Sequence, residues 1–170
     1  SVGKFLDEEI GLLLLYARCI QLSKGNTGIS PKLFKHLMKC LEKGFSPAIP
    51  EFGSIGAGDL TQNATFGLAL LGKGKFWNNG KIINSKNKLV SNKIKLPKLE
   101  GKDAMALINH SCLSIALSGK ALNDTLNAFM MMQFSALFSF EAFIGNKQIF
   151  SPDVNELRVS PGQNECARWY

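Results

Sequence analysis

The stretch "GSIGAGDL", from Gly53 to Leu60, sets three glycines among small or apolar residues before an Asp-Leu pair opens an apolar run. A glycine in an element interior costs roughly 0.5–1 kcal/mol against alanine. Three of them directly before a helix mean that the backbone needs positive φ, or that something must approach it closely. Three uses fit such a stretch: a phosphate cradle, a bare tight turn, or a loop built to make a cofactor from its own backbone. The phosphate cradle fails, because no G-x-G-x-x-G follows a strand signal and no Lys-Ser/Thr follows the glycines.

The surrounding chain reads as mainly helical. Asp7 with Glu8 and Glu9 opens a helix whose apolar residues, Ile10, Leu12 to Leu15, Tyr16 and Ile20, predict burial on nearly all sides. Ser30-Pro31 caps a second helix with a stripe at Leu33, Phe34, Leu37, Met38 and Leu41, and Gly44 ends it. Asp59 is the expected cap of a third helix, "LTQNATFGLALLGKG". Asn79-Gly80, between short apolar runs, predicts one small hairpin. From Glu100 a long helical pattern breaks near Asn109 and stops at Gly145, and Pro161-Gly162 marks a turn. The organisation expected is one partial domain over residues 1–170, mainly α with one hairpin.

The 170 residues carry a net charge of +7, a hydrophobic fraction of 45% and a charged fraction of 19%, a globular composition. No apolar run is long enough to span a bilayer, and the N-terminus lacks signal-peptide architecture, so membrane partners are not expected. Much of the basic excess lies between Lys73 and Lys98. Aromatic interleaving is thin there, so the segment reads as a solvated face and nucleic acid is not an expected partner. Cys19, Cys40, Cys112 and Cys166 lie far apart without metal spacing. They read as buried free thiols in a reducing compartment, with no metal cofactor. Met130 to Met132 read as core filling, Glu141 as making a structural hydrogen bond or ion pair, His110 as structural, and His36 as a residue of an amphipathic surface helix with no site role.

Three segments together resemble the aromatic amino acid ammonia-lyase family, which includes histidine and phenylalanine ammonia-lyases. They are "GNTGISPKLFKHLMKCLEKGFSPAIPEFGSIGAGDLTQNATFGLALLGKGK", "LEGKDAMALINHS" and "SFEAFIGNKQIFSPDVNELRVSPGQ", residues 25–75, 99–111 and 139–163. The last is specific in the spacing of Glu141-Ala142, Gly145, Pro152, Leu157-Arg158 and Pro161-Gly162-Gln163. The resemblance implies the helical lyase fold, a fumarase/aspartase-like helical bundle, of which this chain is an internal piece of the N-terminal half. It also implies a cytoplasmic homotetramer with composite sites, and loss of ammonia from an aromatic amino acid to give an unsaturated acid. Family residues that act on substrate as Tyr and Arg fall outside residues 1–170; Tyr16 and Tyr170 do not match them.

The family's cofactor, methylidene-imidazolone, comes from consecutive Ala-Ser-Gly. The Gly nitrogen attacks the Ala carbonyl, and two waters leave, one carrying the Ser hydroxyl. Removing a weakly acidic C–H proton with a base on the order of 20 pKa units weaker costs about 27 kcal/mol at ~1.36 per unit. Enzymes supply about 8–23 kcal/mol in all, so an electrophile that activates the substrate is central. This chain reads Gly56-Ala57-Gly58-Asp59, one residue shorter than the family's Gly-Ala-Ser-Gly-Asp. If the gap falls between Ala57 and Gly58, the cyclising Ser is absent; if it falls earlier, Ala57 takes the Ser position. Neither register supplies the hydroxyl, and Ser54 is followed by Ile55 where the attacking glycine should stand. The cofactor-loop positions are therefore Ala57, Gly58 and Asp59. By the same resemblance, Asn109 in "ALINHS", whose family counterpart contacts the cofactor or the substrate carboxylate, and Gln163 in "SPGQ" are the candidate substrate-binding residues for a small-molecule aromatic amino acid substrate.

Overall fold

A computed structural model describes residues 1–157 and 160–169, and the chain divides into two compact units, residues 1–120 and 121–170. Arg158 of the Leu157-Arg158 landmark, and Tyr170, lie outside the described residues.

The first unit starts with β1 (Val2–Phe5), α1 (Glu8–Ser23) and α2 (Pro31–Glu42). Asp7 stands at the N-cap of α1, but its side chain makes no capping bond. α1 buries one side, with Leu14, Leu15, Arg18 and Leu22 inward, while Tyr16 and Ile20 are exposed. The expectation of burial all round is thus corrected: apolar residues run round the helix, and this chain covers only part of them. Ser30 caps α2 as expected, its Oγ accepting from Leu33 N–H at 3.2 Å. The same serine donates its N–H and hydroxyl to the Asp103 carboxylate at 2.7 and 2.9 Å. Burial works against the ionised carboxyl of Asp103, but these bonds and one from Glu100 N–H hold its pKa below the ordinary value.

Next come β2 (Ser46–Pro47), β3 (Pro50–Phe52) and α3 (Leu60–Leu70), then β4 (Lys75–Asn78) and β5 (Lys81–Asn84). Antiparallel pairs join β1 to β3, and β4 lies between β2 and β5. The expected hairpin is present: Asn78 pairs with Lys81, and Asn79 and Gly80 both take positive φ, at 51° and 74°. The strands flanking it are more than sequence predicted, because β1, β2 and β3 are too short to show alternation. α4 (Ser85–Ser91) and α5 (Asp103–Ile108) follow, and α6 begins at Cys112. Leu14, Leu15, Leu33, Leu37, Phe66 and Leu70 are completely inaccessible and join α1, α2 and α3 in one core. Burial of each such side chain contributes about 1.5–3 kcal/mol.

α6 is continuous from Cys112 to Ala142. In the second unit it is followed by a 3₁₀ turn at Lys147–Phe150, α7 (Pro152–Asn155) and α8 (Pro161–Trp169). Pro161-Gly162 therefore opens a helix instead of making an isolated turn, consistent with proline's place in a first helical turn. Gly145 follows the helix end as expected, its N–H reaching the Phe140 carbonyl at 2.9 Å. Glu141 pairs with Lys147 at 3.3 Å, the structural role expected of it, although both are exposed. Met130, Met131 and Met132 are more than half exposed in this chain, which corrects their reading as core filling. No helix among the described residues is long and apolar enough to cross a membrane. The class is mainly α, as the periodicity predicts.

Candidate active site

The glycine-rich loop is an arch with its feet fixed and its crown open. Thr61 Oγ1 donates to the Gly53 carbonyl at one foot. Within the arch the Ser54 hydroxyl accepts from Gly56 N–H at 3.3 Å and donates to the Gly58 carbonyl at 3.4 Å. Gly56 and Gly58 take φ of +83° and +61°, the left-handed region that explains glycine at both places. Ala57 is exposed, Gly58 half-buried and Asp59 buried.

Asp59 is the second foot, and it corrects an expectation. It stands at the N-cap position of α3, where its carbonyl accepts from Asn63 N–H at 2.7 Å, but its carboxylate makes no bond to that helix. Instead Oδ2 accepts from Ser114 N–H at 2.9 Å and Oδ1 from the Ser114 hydroxyl at 2.8 Å. Asp59 therefore caps the first turn of α6, where three or more N–H groups lack helical partners and an anion is favoured.

The turn between α5 and α6 is held against the same corner. Asn63, fully buried on α3, donates its amide to the carbonyls of Ile108 and His110 at 3.1 and 2.6 Å. Asp59 N–H reaches the His110 carbonyl at 3.4 Å. Asn109 stands exposed between the two clamped carbonyls, so the structure brings the loop and Asn109 together. Asn63 Oδ1 is buried without a partner among the described residues, an open acceptor at the root of the loop.

His110 is a neutral structural ring. One nitrogen, Nε2, faces the Leu107 carbonyl at 3.0 Å, and Nδ1 accepts from Cys112 N–H at 3.2 Å. This pattern fixes the proton on Nε2. Burial, followed by the nearby positive charge of Arg18, pushes its pKa down to about 4. Arg18 lies beneath the turn, almost inaccessible, donating to the Ala106 carbonyl and to Gln21. Burial lowers its pKa as well, and its Nε has no partner among the described residues. Cys112 donates its thiol to Gln21 Oε1 at 3.2 Å. Burial pushes the thiols of Cys19 and Cys40 up to about 11 and about 12, so both stay protonated; Cys166 is only half-buried.

Gln163 belongs to the second unit. It lies in the first turn of α8, and its Nε2 donates to Asn155 Oδ1 at 3.1 Å, while Asn155 Nδ2 donates to the Ile149 and Ser151 carbonyls. Sequence reasoning missed Asn63, Arg18 and Ser114. Arg18 and Asn63 could have been flagged as polar residues on otherwise apolar helices; nothing local to Ser114 marks it as a partner of Asp59.

The residues present do not fit the family's self-made cofactor. In one register Gly58 N is already the amide nitrogen of Ala57, and a five-membered ring needs a residue between them. In the other, Gly58 N attacks the Gly56 carbonyl with Ala57 in the middle. That closure could lose one water, but the Ala57 methyl has no hydroxyl to leave as the second. The Ser54 hydroxyl is engaged in the arch itself. Among the described residues no group of three or more His, Cys, Asp or Glu is placed to hold a metal.

The whole chain, residues 1–170, matches the model of the family described as aromatic amino acid lyase. It is 34% identical over 170 residues to histidine ammonia-lyase of Alkaliphilus oremlandii, covering 98% of this chain and 33% of that protein. It is 32% identical over 164 residues to a probable histidine ammonia-lyase of Thermoplasma volcanium, covering 96% of this chain and 33% of the relative. Among solved structures, phenylalanine aminomutase of Pantoea agglomerans superposes with a TM-score of 0.91 at 30% identity, over 99% of this chain and 33% of that one. Histidine ammonia-lyase of Trypanosoma cruzi superposes with a TM-score of 0.90 at 27% identity, over 98% and 33%. The chain thus spans about a third of the length of the relatives it matches. Its helical architecture is that of the lyase fold, and the chain belongs to the aromatic amino acid lyase family.

Proposed function

We propose that the full-length protein is an ammonia-lyase-type enzyme, releasing ammonia from a histidine-like or phenylalanine-like amino acid to give an unsaturated acid. The observation that carries this reading is the clamp on the loop. Asp59, Asn63 and the α5–α6 turn hold the 53–59 arch beside exposed Asn109. Proteins similar to this chain include histidine ammonia-lyases and a phenylalanine aminomutase, which supports the substrate class. In this reading Asn109 and Gln163 contact the substrate, Asn109 through the carboxylate, and Ala57, Gly58 and Asp59 form the loop that faces it. The protein is a cytoplasmic homotetramer whose sites are completed by residues outside this chain.

A second reading has one specific observation in its favour. The loop lacks the hydroxyl that cofactor formation requires, so the protein is a silent homologue that keeps the helical scaffold for assembly or binding. The experiment is an intact-mass measurement of the full-length protein with an assay of ammonia release from histidine, phenylalanine and tyrosine. Ammonia release supports the enzyme. An unmodified mass with no release from any of the three assigns the scaffold.

A further inference from the structure

The first unit contains a basic cavity that the lyase reading does not use. It has a volume of about 700 Å³, with one wall from α2 and the other from the extended chain after α4. Lys32, Lys35 and Lys39 line it from α2, and their spacing puts them on one helix face. Lys93, Lys95 and Lys98 line it from the opposite wall. The carboxylate in the lining, Glu100, is already paired with Lys32 at 2.8 Å. Ile94, Leu96 and Pro97 add an apolar strip, and His36 lies buried at the α2 wall with its Nε2 held by the Leu70 carbonyl at 2.8 Å.

The six lysines are exposed, but their charge and the size of the space between them favour an anionic ligand. Like charges collected around a concave space repel, by about 1 kcal/mol for a pair 4 Å apart in water, and an anion placed among them relieves that repulsion. Lys93 takes a φ of +57° just after the end of α4, where its N–H reaches the Val90 carbonyl and Ile94 N–H the Leu89 carbonyl, both at 2.9 Å, the bonds that close the helix and aim the 93–98 segment along the cavity. The size lies within the range of about 300–1,000 Å³ typical of small-ligand sites and exceeds the needs of a lone phosphate.

We propose that this cavity binds an oligophosphate, held between the lysines of α2 and those of the 93–98 segment. Two sources carry that chemistry: free inorganic polyphosphate, and a nucleoside triphosphate whose base lies on the apolar strip. The test is calorimetric titration of the full-length protein with inorganic tripolyphosphate and, separately, with ATP, at low and high salt. Saturable binding of one ligand per chain, weakened by salt, is expected. The double variant Lys39→Glu/Lys95→Glu should weaken it by about tenfold or more. Lys81→Glu, on β5 and outside the lining, should leave it unchanged, and Lys39→Gln/Lys95→Gln should weaken it with an unaltered circular dichroism spectrum. Equal affinity for the two ligands supports a site that reads phosphate alone; tighter ATP binding supports one that also reads the nucleoside. Absence of saturable binding, an affinity indifferent to both double variants, or binding of single-stranded RNA without tripolyphosphate would overturn the proposal.

Discussion

Replacing Asp59 by alanine should loosen α6, not the helix that Asp59 begins. The carboxylate is 5% exposed and accepts two bonds, at 2.9 and 2.8 Å, from Ser114 in the first turn of α6. A hydrogen bond to a charged group contributes about 1.5–3 kcal/mol, and a capping side chain about 0.5–2 kcal/mol. The two bonds share one carboxylate, and the variant no longer bears the penalty of burying that charge, so the net cost is about 2–3 kcal/mol. At 1.4 kcal/mol per factor of ten this is a rise of roughly 30- to 150-fold in local opening. Hydrogen exchange of the full-length protein, followed by mass spectrometry, reads it directly. Peptides covering residues 112–120 should exchange faster by that factor in Asp59→Ala. Peptides covering 60–66 should change little, since the Asp59 carbonyl still accepts from Asn63 N–H. Faster exchange confined to 60–66, with 112–120 unaltered, would refute the assignment and return Asp59 to its own helix.

Inserting a serine between Ala57 and Gly58 restores the missing hydroxyl inside an exposed arch. The intact mass should then fall two waters below that of the translated sequence, and retention of the full mass would show that more than the hydroxyl is wanting. His110 is buried and neutral with a pKa near 4, against 6.5 when unperturbed. A depressed histidine contributes stability that is complete above the unfolded value and is lost as pH falls from about 6.5 to about 4. That loss is about 3 kcal/mol. Replacement by glutamine should flatten this part of the pH–stability curve, as followed by urea unfolding. Gly11→Ala should lower the thermal midpoint by several degrees, because a Cβ there overlaps the Pro47 carbonyl oxygen and the Ser46 hydroxyl.

Elements governed by neighbours in sequence were legible in the sequence. Ser30-Pro31 announced α2, Asn79-Gly80 announced the β4–β5 turn, and the interruption at Asn109 announced the α5–α6 boundary. Features governed by distant partners were not. The carboxylate of Asp59 could cap α3 or any other helix, and only folding brings Ser114 to it from 55 positions away. His36 sits on a helix with a polar face, yet its ring is buried and bonded to the Leu70 carbonyl. The Met130–Met132 run shows the opposite failure. Apolar composition predicts burial without saying what covers it, and here this chain does not. At the site, the loop and Asn109 were placed by resemblance, but the amide of Asn63 that clamps the turn beside them had no local signature.

The position of Asp59 bears on how the loop came to be one residue short. Asp59 fixes one end of the loop against Ser114, and Thr61 fixes the other at the Gly53 carbonyl. Between these two anchorages residues 54–57 are exposed, and a Cβ added at Gly56 would meet nothing within 4 Å, so a change of length there disturbs no packed neighbour in this chain. Foldedness and the presence of a cyclising serine are therefore separable here: a single codon can come or go at this crest while the helices beneath keep their alignment.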